Sequence, residues 1–150
     1  AVKAFETGDA IDNGADEIDM VINIGWVKDK KWDDIEHEIS TLKDICGDHI
    51  LKVIVETCML TDEEKVKMCE IVTYAGADFI KTSTGFGTYS ARIEDVEIMK
   101  KFSSLPTEVK ASGGIRTYED VINMVKAGAT RIGASATEAI VKGAIEAQNK

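Results

Sequence analysis

Apolar and polar residues alternate along the chain with two different periods, which predict helices and strands in turn. In residues 33–46 the apolar side chains recur every three or four positions, the spacing that places them on one face of a helix. In residues 17–24 they recur at every second position, the spacing of a strand with one buried face. The same patterns, together with capping residues, predict further helices over residues 1–12, 61–75, 93–102, 117–125 and 137–148, and further strands over residues 51–57, 79–81, 108–112 and 130–135.

Each predicted strand is followed by a helix, and the loops between them are short. Strict alternation of this kind predicts parallel strands that are joined by helical crossovers. A helix end, a glycine and a strand recur at residues 13–19, 75–81 and 127–133. This repeat favours a (β/α) barrel over an open doubly wound sheet, and no linker-like segment divides the chain. We therefore predict one α/β domain that spans residues 1–150.

The composition limits the classes of partner. The chain has 150 residues and a net charge of −9, which argues against nucleic acid and anionic membranes as partners. A phosphate-bearing ligand would therefore need a local site. Cys46, Cys58 and Cys69 form no Cys-x-x-Cys pair and predict free thiols in a reducing compartment. There is no signal-like N-terminus and no apolar run of about 18 residues, so we predict a cytoplasmic protein.

Four charged residues lie inside predicted strands: Asp19, Lys52, Lys81 and Lys110. Both faces of a parallel (β/α) sheet are usually covered, so a charge at such a position is costly. One such residue alone is more often a charge at a strand end that reaches solvent. Four of them, near the C-terminal ends of different strands, indicate an active site, because barrel active sites lie at that end.

Lys81 is the candidate nucleophile, because it lies in a short apolar strand that leads into a Ser/Thr/Gly loop. A nearby second cation would lower its pKa, and Lys110 on the next strand is suited to that role. The alternative for Lys110 is a salt bridge to Asp19 or Glu56. Asp19 is the candidate general acid/base, or the group that orients a catalytic water.

Two glycine-containing loops follow the last two predicted strands, and each leads towards a helix N-terminus. Glycine lets backbone N–H groups approach an anion closely, and phosphate sites recur at this place in barrels. The alternative is that both loops are simple tight turns. The predicted phosphate-binding residues are Gly113, Gly114, Gly133 and Ser135, with Thr84 and Gly85 as possible additions to the same pocket.

Five segments, at residues 17–23, 52–57, 79–85, 110–116 and 131–135, resemble the deoxyribose-phosphate aldolase family. The resemblance covers essentially the whole chain. It implies a TIM barrel and a class I aldolase, which reversibly cleaves 2-deoxy-D-ribose 5-phosphate to D-glyceraldehyde 3-phosphate and acetaldehyde. It also implies that the protein uses no metal or other cofactor, because the protonated imine accepts the electrons.

The resemblance assigns a role to each candidate residue. Lys81 would form the Schiff base, Lys110 would tune it, and Asp19 would belong to the proton relay with Lys52 as its supporting lysine. Gly113, Gly114 and Ser135 match the phosphate site of the family, whereas Ala136 stands where some members have a second serine.

The chain departs from the family in supplying only five predicted strands, whereas the family barrel has eight. We therefore expect a partial barrel that lacks three N-terminal strands and that self-associates to cover its open edges. The expected partner is a small sugar phosphate. Two alternatives remain: another phosphate-binding barrel enzyme, either a Schiff-base aldolase or an isomerase, and an inactive truncated domain that only associates.

Overall fold

The computed structural model describes residues 1–149 and contains one sheet of five parallel strands. Each strand pairs with the next one along the chain, so the strand order is β1-β2-β3-β4-β5. A doubly wound sheet would reverse its order at some point, and this sheet does not, which confirms the predicted barrel-type α/β fold. The strands are β1 (Glu17–Val21), β2 (Ile50–Ile54), β3 (Phe79–Lys81), β4 (Glu108–Ser112) and β5 (Arg131–Gly133).

Helices precede the first strand and follow every strand. The glycines of the predicted repeat, Gly14, Gly76 and Gly128, have φ angles of 96°, 77° and 122°, which supports the predicted turn from each helix into the next strand. The α-helices are α1 (Val2–Asp12), α2 (Ile24–Lys28), α3 (Trp32–Cys46), α4 (Asp62–Tyr74), α5 (Ile93–Phe102), α6 (Tyr118–Ala127) and α7 (Thr137–Gln148), and a 3₁₀ turn spans Thr57–Met59.

Three strands end earlier than predicted. β1 stops at Val21, because the side chain of Asn23 accepts a hydrogen bond from Trp26 N and caps the short helix α2, which the sequence pattern missed. β2 stops at Ile54, because Glu56 adopts a left-handed conformation with φ 54° and starts the 3₁₀ turn. The predicted strand 130–135 is likewise shorter, at Arg131–Gly133.

The apolar core lies between the sheet and the helices that cover its outer face. Leu51, Val53 and Ile80 of the central strands are fully buried. The predicted apolar face of α3 is confirmed, since Ile35 and Ile39 are at most 1% exposed. Each fully buried side chain of this size contributes about 1.5–3 kcal/mol, so this layer holds the sheet in its curved shape.

The inner, concave face of the sheet carries the charged residues. β1 and β2 pair in a register that sets Asp19 beside Lys52, and β3 and β4 pair in one that sets Lys81 beside Lys110. The apolar outer face and the charged inner face follow from the two-residue period of the strands. In the described part of the chain, no helix is long and apolar enough to cross a membrane.

Candidate active site

Asp19 joins two of the predicted lysines. Its Oδ1 lies 3.3 Å from Lys81 Nζ and its Oδ2 lies 3.4 Å from Lys52 Nζ. The side chain of Lys52 is only 7% exposed and that of Lys81 14%, whereas Asp19 is 39% exposed at the open side of the concave face. The structure thus brings these three residues together, and their catalytic roles stay predictions.

Lys110 extends the cluster without forming an ion pair. Burial, followed by the positive charge of neighbouring Lys81, lowers the pKa of Lys110 below its ordinary value of 10.5. The alternative of a salt bridge from Lys110 to Asp19 or Glu56 is wrong: within residues 1–149 Asp19 pairs with Lys81 and Lys52, and Glu56 contacts the loop after β3. Lys110 is therefore a second, unpaired amine beside Lys81.

Glu17, which the sequence analysis did not select, lies beneath this cluster. Its Oε2 is 2.7 Å from Lys52 Nζ and 2.5 Å from the Arg131 guanidinium. The hydrogen bond from Arg131 and then that from Lys52 lower the pKa of Glu17 from 4.5 to about 2. Sequence criteria could have selected both residues as candidates, though not their pairing, because Glu17 lies two positions before Asp19 on the same strand face and Arg131 is also a charge inside a strand.

Glu56 anchors the loop that follows Lys81. It is 6% exposed, and its carboxylate accepts hydrogen bonds from the N–H and the hydroxyl group of Thr84. Thr84 Oγ1 in turn accepts a hydrogen bond from Phe86 N at 3.2 Å. Thr84 thus lines the pocket with its donor groups already used by Glu56.

A cleft of about 600 Å³ opens beside Lys81. The N–H groups of Gly113, Gly114 and Ser135 donate to no backbone carbonyl of residues 1–149, which leaves them free for an anion. Gly113 and Gly114 have φ angles of 84° and 76°, the left-handed region that glycine favours. All six predicted phosphate-binding residues line this cleft: Thr84, Gly85, Gly113, Gly114, Gly133 and Ser135.

The two helix N-termini near the cleft differ. Thr117 and Asp120 form a capping box at the start of α6, so the backbone N–H groups of both residues are already engaged. Asp120 also accepts a hydrogen bond from Arg116 N, although Arg116 itself lines the cleft. Helix α7 begins after Ala136 without any side-chain cap, and Ala136 lines the cleft too. Its first N–H groups are the ones that remain available.

The next groups to consider are possible metal ligands and the cysteine thiols. Residues 1–149 hold no group of three or more His, Cys, Asp or Glu side chains arranged to bind a metal ion. All three cysteines are free. Burial raises the pKa of the Cys69 thiol to about 11, which supports the interpretation of Cys69 as a core residue. Cys58 is only half-buried.

The fold and the site define a class of protein: a barrel-type parallel α/β structure with two adjacent lysines and a carboxylate beside a cleft lined by glycine loops. The family model described as DeoC/LacD family aldolase matches residues 1–147, and the chain belongs to this family. The chain is 60% identical over 143 residues to a deoxyribose-phosphate aldolase from Macrococcus caseolyticus, and 59% identical over 143 residues to one from Listeria monocytogenes.

A solved structure gives the same picture of the fold. The chain superposes on the tetrameric deoxyribose phosphate aldolase of Aeropyrum pernix with a TM-score of 0.83 and 28% identity, covering 97% of this chain and 62% of that one. The matches to the two bacterial relatives cover 95% of this chain. The chain spans about 65% of the length of the Macrococcus relative and 64% of the Listeria one.

Proposed function

We propose that this chain carries the catalytic and phosphate-binding residues of a class I aldolase that reversibly cleaves 2-deoxy-D-ribose 5-phosphate. The observation that carries the proposal is the placement of Lys81 between Asp19, 3.3 Å away, and the adjacent Lys110, at the edge of the anion cleft. The names of the bacterial relatives support the choice of substrate.

The cleft explains how such a substrate would be held. Its lining includes Lys81, the glycine loop at Gly113 and Gly114, and Ser135 before the uncapped helix α7. The backbone N–H groups of the loop and of the helix start suit a phosphate dianion. The binding energy of a phosphate held by these groups would position the aldehyde against the amine.

The chemistry then follows from one amine. Neutral Lys81 Nζ attacks C1 of the open-chain sugar, and loss of water from the carbinolamine gives a protonated imine. Removal of the proton from the C3 hydroxyl breaks the C2–C3 bond, its electron pair passes to the iminium nitrogen, and glyceraldehyde 3-phosphate leaves. The remaining enamine takes a proton at C2, and water hydrolyses the imine to acetaldehyde and free Lys81.

The neighbouring groups would control protons and charge. Lys110, whose pKa is lowered by burial and by the charge of Lys81, would exchange protons with the site. Asp19, held through Oδ2 by Lys52, would move protons directly or through a water that it orients.

The test is borohydride trapping of the 150-residue chain with 2-deoxyribose 5-phosphate, followed by intact-mass and peptide-mass measurement. A sugar-phosphate adduct on Lys81 reports imine formation, and an ethyl adduct on Lys81 reports cleavage as well. Lys81→Met should abolish both adducts, whereas Lys142→Met, at an exposed lysine of α7, should retain them.

Three outcomes would contradict the proposal in different ways. An adduct on Lys110 would exchange the roles of the two lysines. Adducts spread over exposed lysines would remove the specific site. A folded chain without any adduct would leave the inactive, self-associating domain as the better description of these 150 residues, and an isomerase would give the same result.

We also propose that the chain self-associates and works in the cytoplasm. β1 and β5 each pair with a single strand within residues 1–149, so both sheet edges offer backbone groups to a second copy. The free thiols fit a reducing compartment. Light scattering after size-exclusion chromatography measures the oligomeric state directly. A monomer at all concentrations would overturn the proposal that the chain self-associates.

A further inference from the structure

Glu17 links the first and the last strand of the sheet across its concave face. Its carboxylate lies 2.5 Å from the guanidinium of Arg131, although the two residues are 114 positions apart in the chain. The guanidinium also lies over the ring of Phe79, 4.5 Å from its centroid. Glu17, Phe79 and Arg131 come from alternate strands and form one layer of the interior, as in barrel cores.

Lys52 connects this layer to the candidate active site. Its ammonium group lies 2.7 Å from Glu17 and 3.4 Å from Asp19, so Glu17 is the nearer of its two partners. With Lys52 held by Glu17, the other carboxylate oxygen of Asp19 faces Lys81 at 3.3 Å. The contacts therefore run in an unbroken series from Arg131 to Lys81.

Charge in this series is unbalanced. The linked cluster contains two carboxylates, Glu17 and Asp19, and three cations, Lys52, Lys81 and Arg131, with Lys110 beside them. Loss of Glu17 would leave one carboxylate for all of these cations. Loss of Arg131 would let Glu17 serve Lys52 alone.

We propose that Glu17 and Arg131 are positioning residues, whose ion pair holds Lys52 beneath Asp19 and thereby sets the placement of Lys81 and the charge environment of Lys110. The consequence for catalysis rests on the proposed aldolase function. The effect on the amines themselves does not, because it depends only on charges present in the ligand-free chain.

Removal of Glu17 and removal of Arg131 should shift the pH at which Lys110 loses its proton in opposite directions. The charged groups that act on Lys110 are Lys81 on β3, Asp19 on β1, Lys52 on β2 and Arg131 on β5. Glu17 contacts two of them, Lys52 and Arg131, and Glu108 lies two positions before Lys110 on β4. Glu17→Gln removes a negative charge, so the Lys110 ammonium group should lose its proton at lower pH. Arg131→Gln removes a positive charge that disfavours this ammonium group, so the proton should be lost at higher pH.

The experiment is a pH titration followed by NMR of the full 150-residue chain labelled with ¹³C at lysine Cε. Lys110→Met and Lys81→Met assign the two resonances. We expect the Lys110 midpoint to fall by about half to one pH unit in Glu17→Gln and to rise by a similar amount in Arg131→Gln. Glu138→Gln, which removes an equal charge from a side chain 84% exposed on α7, should leave it unchanged.

Two further variants separate this role from a loss of folding. Arg131→Lys and Glu17→Asp keep the charges and should keep the midpoint close to that of the wild type, with unchanged circular dichroism. Equal shifts in the same direction in both charge-removing variants, or no shift in either, would overturn the proposal.

The same set of proteins distinguishes this proposal from the proposed function. Opposite midpoint shifts without borohydride-trapped imine in any variant would retain the positioning role and reject the activity of this chain. If imine is trapped in the wild type, and Glu17→Gln changes neither the trapping rate nor the Lys110 midpoint, the activity would be retained and the positioning role rejected. If both proposals hold, the pH profile of imine formation should move with the Lys110 midpoint.

Discussion

Gly133 lies against the side chain of Lys110, so closely that a Cβ atom at position 133 would be 3.3 Å from Lys110 Cε and 3.0 Å from Ser112 Cβ. Position 133 therefore does more than line the anion cleft, because it also leaves room for the amine beside Lys81. Gly133→Ala should push the side chains of Lys110 and Ser112 back by a few tenths of an ångström and lower the rate of imine trapping by roughly threefold to tenfold, since catalysis is sensitive to small misplacements.

A glycine elsewhere provides the control for this change. In Gly8→Ala, on α1, the added methyl group would meet nothing closer than Ile45 Cγ2 at 3.9 Å. The trapping rate should stay unchanged, and the free energy of unfolding should rise by about 0.5–1 kcal/mol because alanine favours the helix. Equal trapping rates in the two variants would show that Gly133 has no role in placing Lys110.

Glu56→Gln should loosen the loop after β3. The buried carboxylate accepts two hydrogen bonds from Thr84, and a hydrogen bond to a charged group contributes about 1.5–3 kcal/mol. The glutamine side chain of the variant can still accept hydrogen bonds, so only part of this contribution should be lost. We expect a loss of about 2 kcal/mol in urea denaturation. The apparent affinity for 2-deoxyribose 5-phosphate should also weaken, because Thr84 and Gly85 line the cleft.

Thr84 variants test whether the loop is the cause. Thr84→Ser keeps the hydroxyl group and should behave like the wild type, whereas Thr84→Val should resemble Glu56→Gln in both measurements. A normal affinity in Glu56→Gln, combined with reduced stability, would limit Glu56 to a structural role.

The helices and strands that depend on local side-chain periodicity could be predicted from the sequence. The apolar face of α3 and the strand at Phe79–Lys81 follow from side-chain periodicity, and both match the structure. The end of β2 could not be predicted, because periodicity continues through Val55 while the backbone turns left-handed at Glu56. The capping box at Thr117 was recognisable as a helix start, but which backbone N–H groups it engages depends on where Asp120 points.

The candidate site shows the same division. Asp19, Lys52, Lys81 and Lys110 were selected because a charge inside a strand is costly, and the structure brings all four to one face. The partner of Glu17 could not be predicted from spacing, because Arg131 approaches it only through the curvature of the sheet. The roles assigned by resemblance, and the expected absence of three strands, stay predictions.

Asp95→Asn should destabilise the fold at the contact between α4 and α5, outside the candidate active site. Asp95 and Lys65 are only 4% and 8% exposed and lie 2.7 Å apart between α4 and α5. Burial lowers the pKa of Lys65, but its hydrogen bonds to Asp62 and Asp95 outweigh burial and raise it. Removal of one partner from a buried pair costs about 3–5 kcal/mol, because the other charge remains buried.

Asp62→Asn is the matched control, because it removes the other carboxylate that contacts Lys65. Asp62 is 77% exposed, and a solvent-exposed pair contributes about 1 kcal/mol or less. Urea denaturation should therefore separate the two variants by at least about 2 kcal/mol. Equal losses would mean that the α4–α5 contact does not depend on the buried pair.

Glu17 should make the stability of the chain sensitive to acid in a defined pH range. Its folded pKa of about 2 lies below its ordinary value of 4.5, so the stabilisation is complete above pH 4.5, where both states are ionised. It is lost as pH falls towards 2, because the unfolded chain takes up a proton that the folded chain resists. With solvent reaching 30% of the side chain, the contribution should be about 1–2 kcal/mol.

The difference in unfolding free energy between the wild type and Glu17→Gln measures this contribution without the other carboxylates. It should be constant above about pH 5 and should shrink steadily between about pH 4.5 and 2. The corresponding difference for Glu138→Gln, at an exposed carboxylate of α7, should stay small throughout. A Glu17 difference that does not change with pH would mean that its ion pairs with Arg131 and Lys52 add nothing to folding, and that their short distances reflect placement alone.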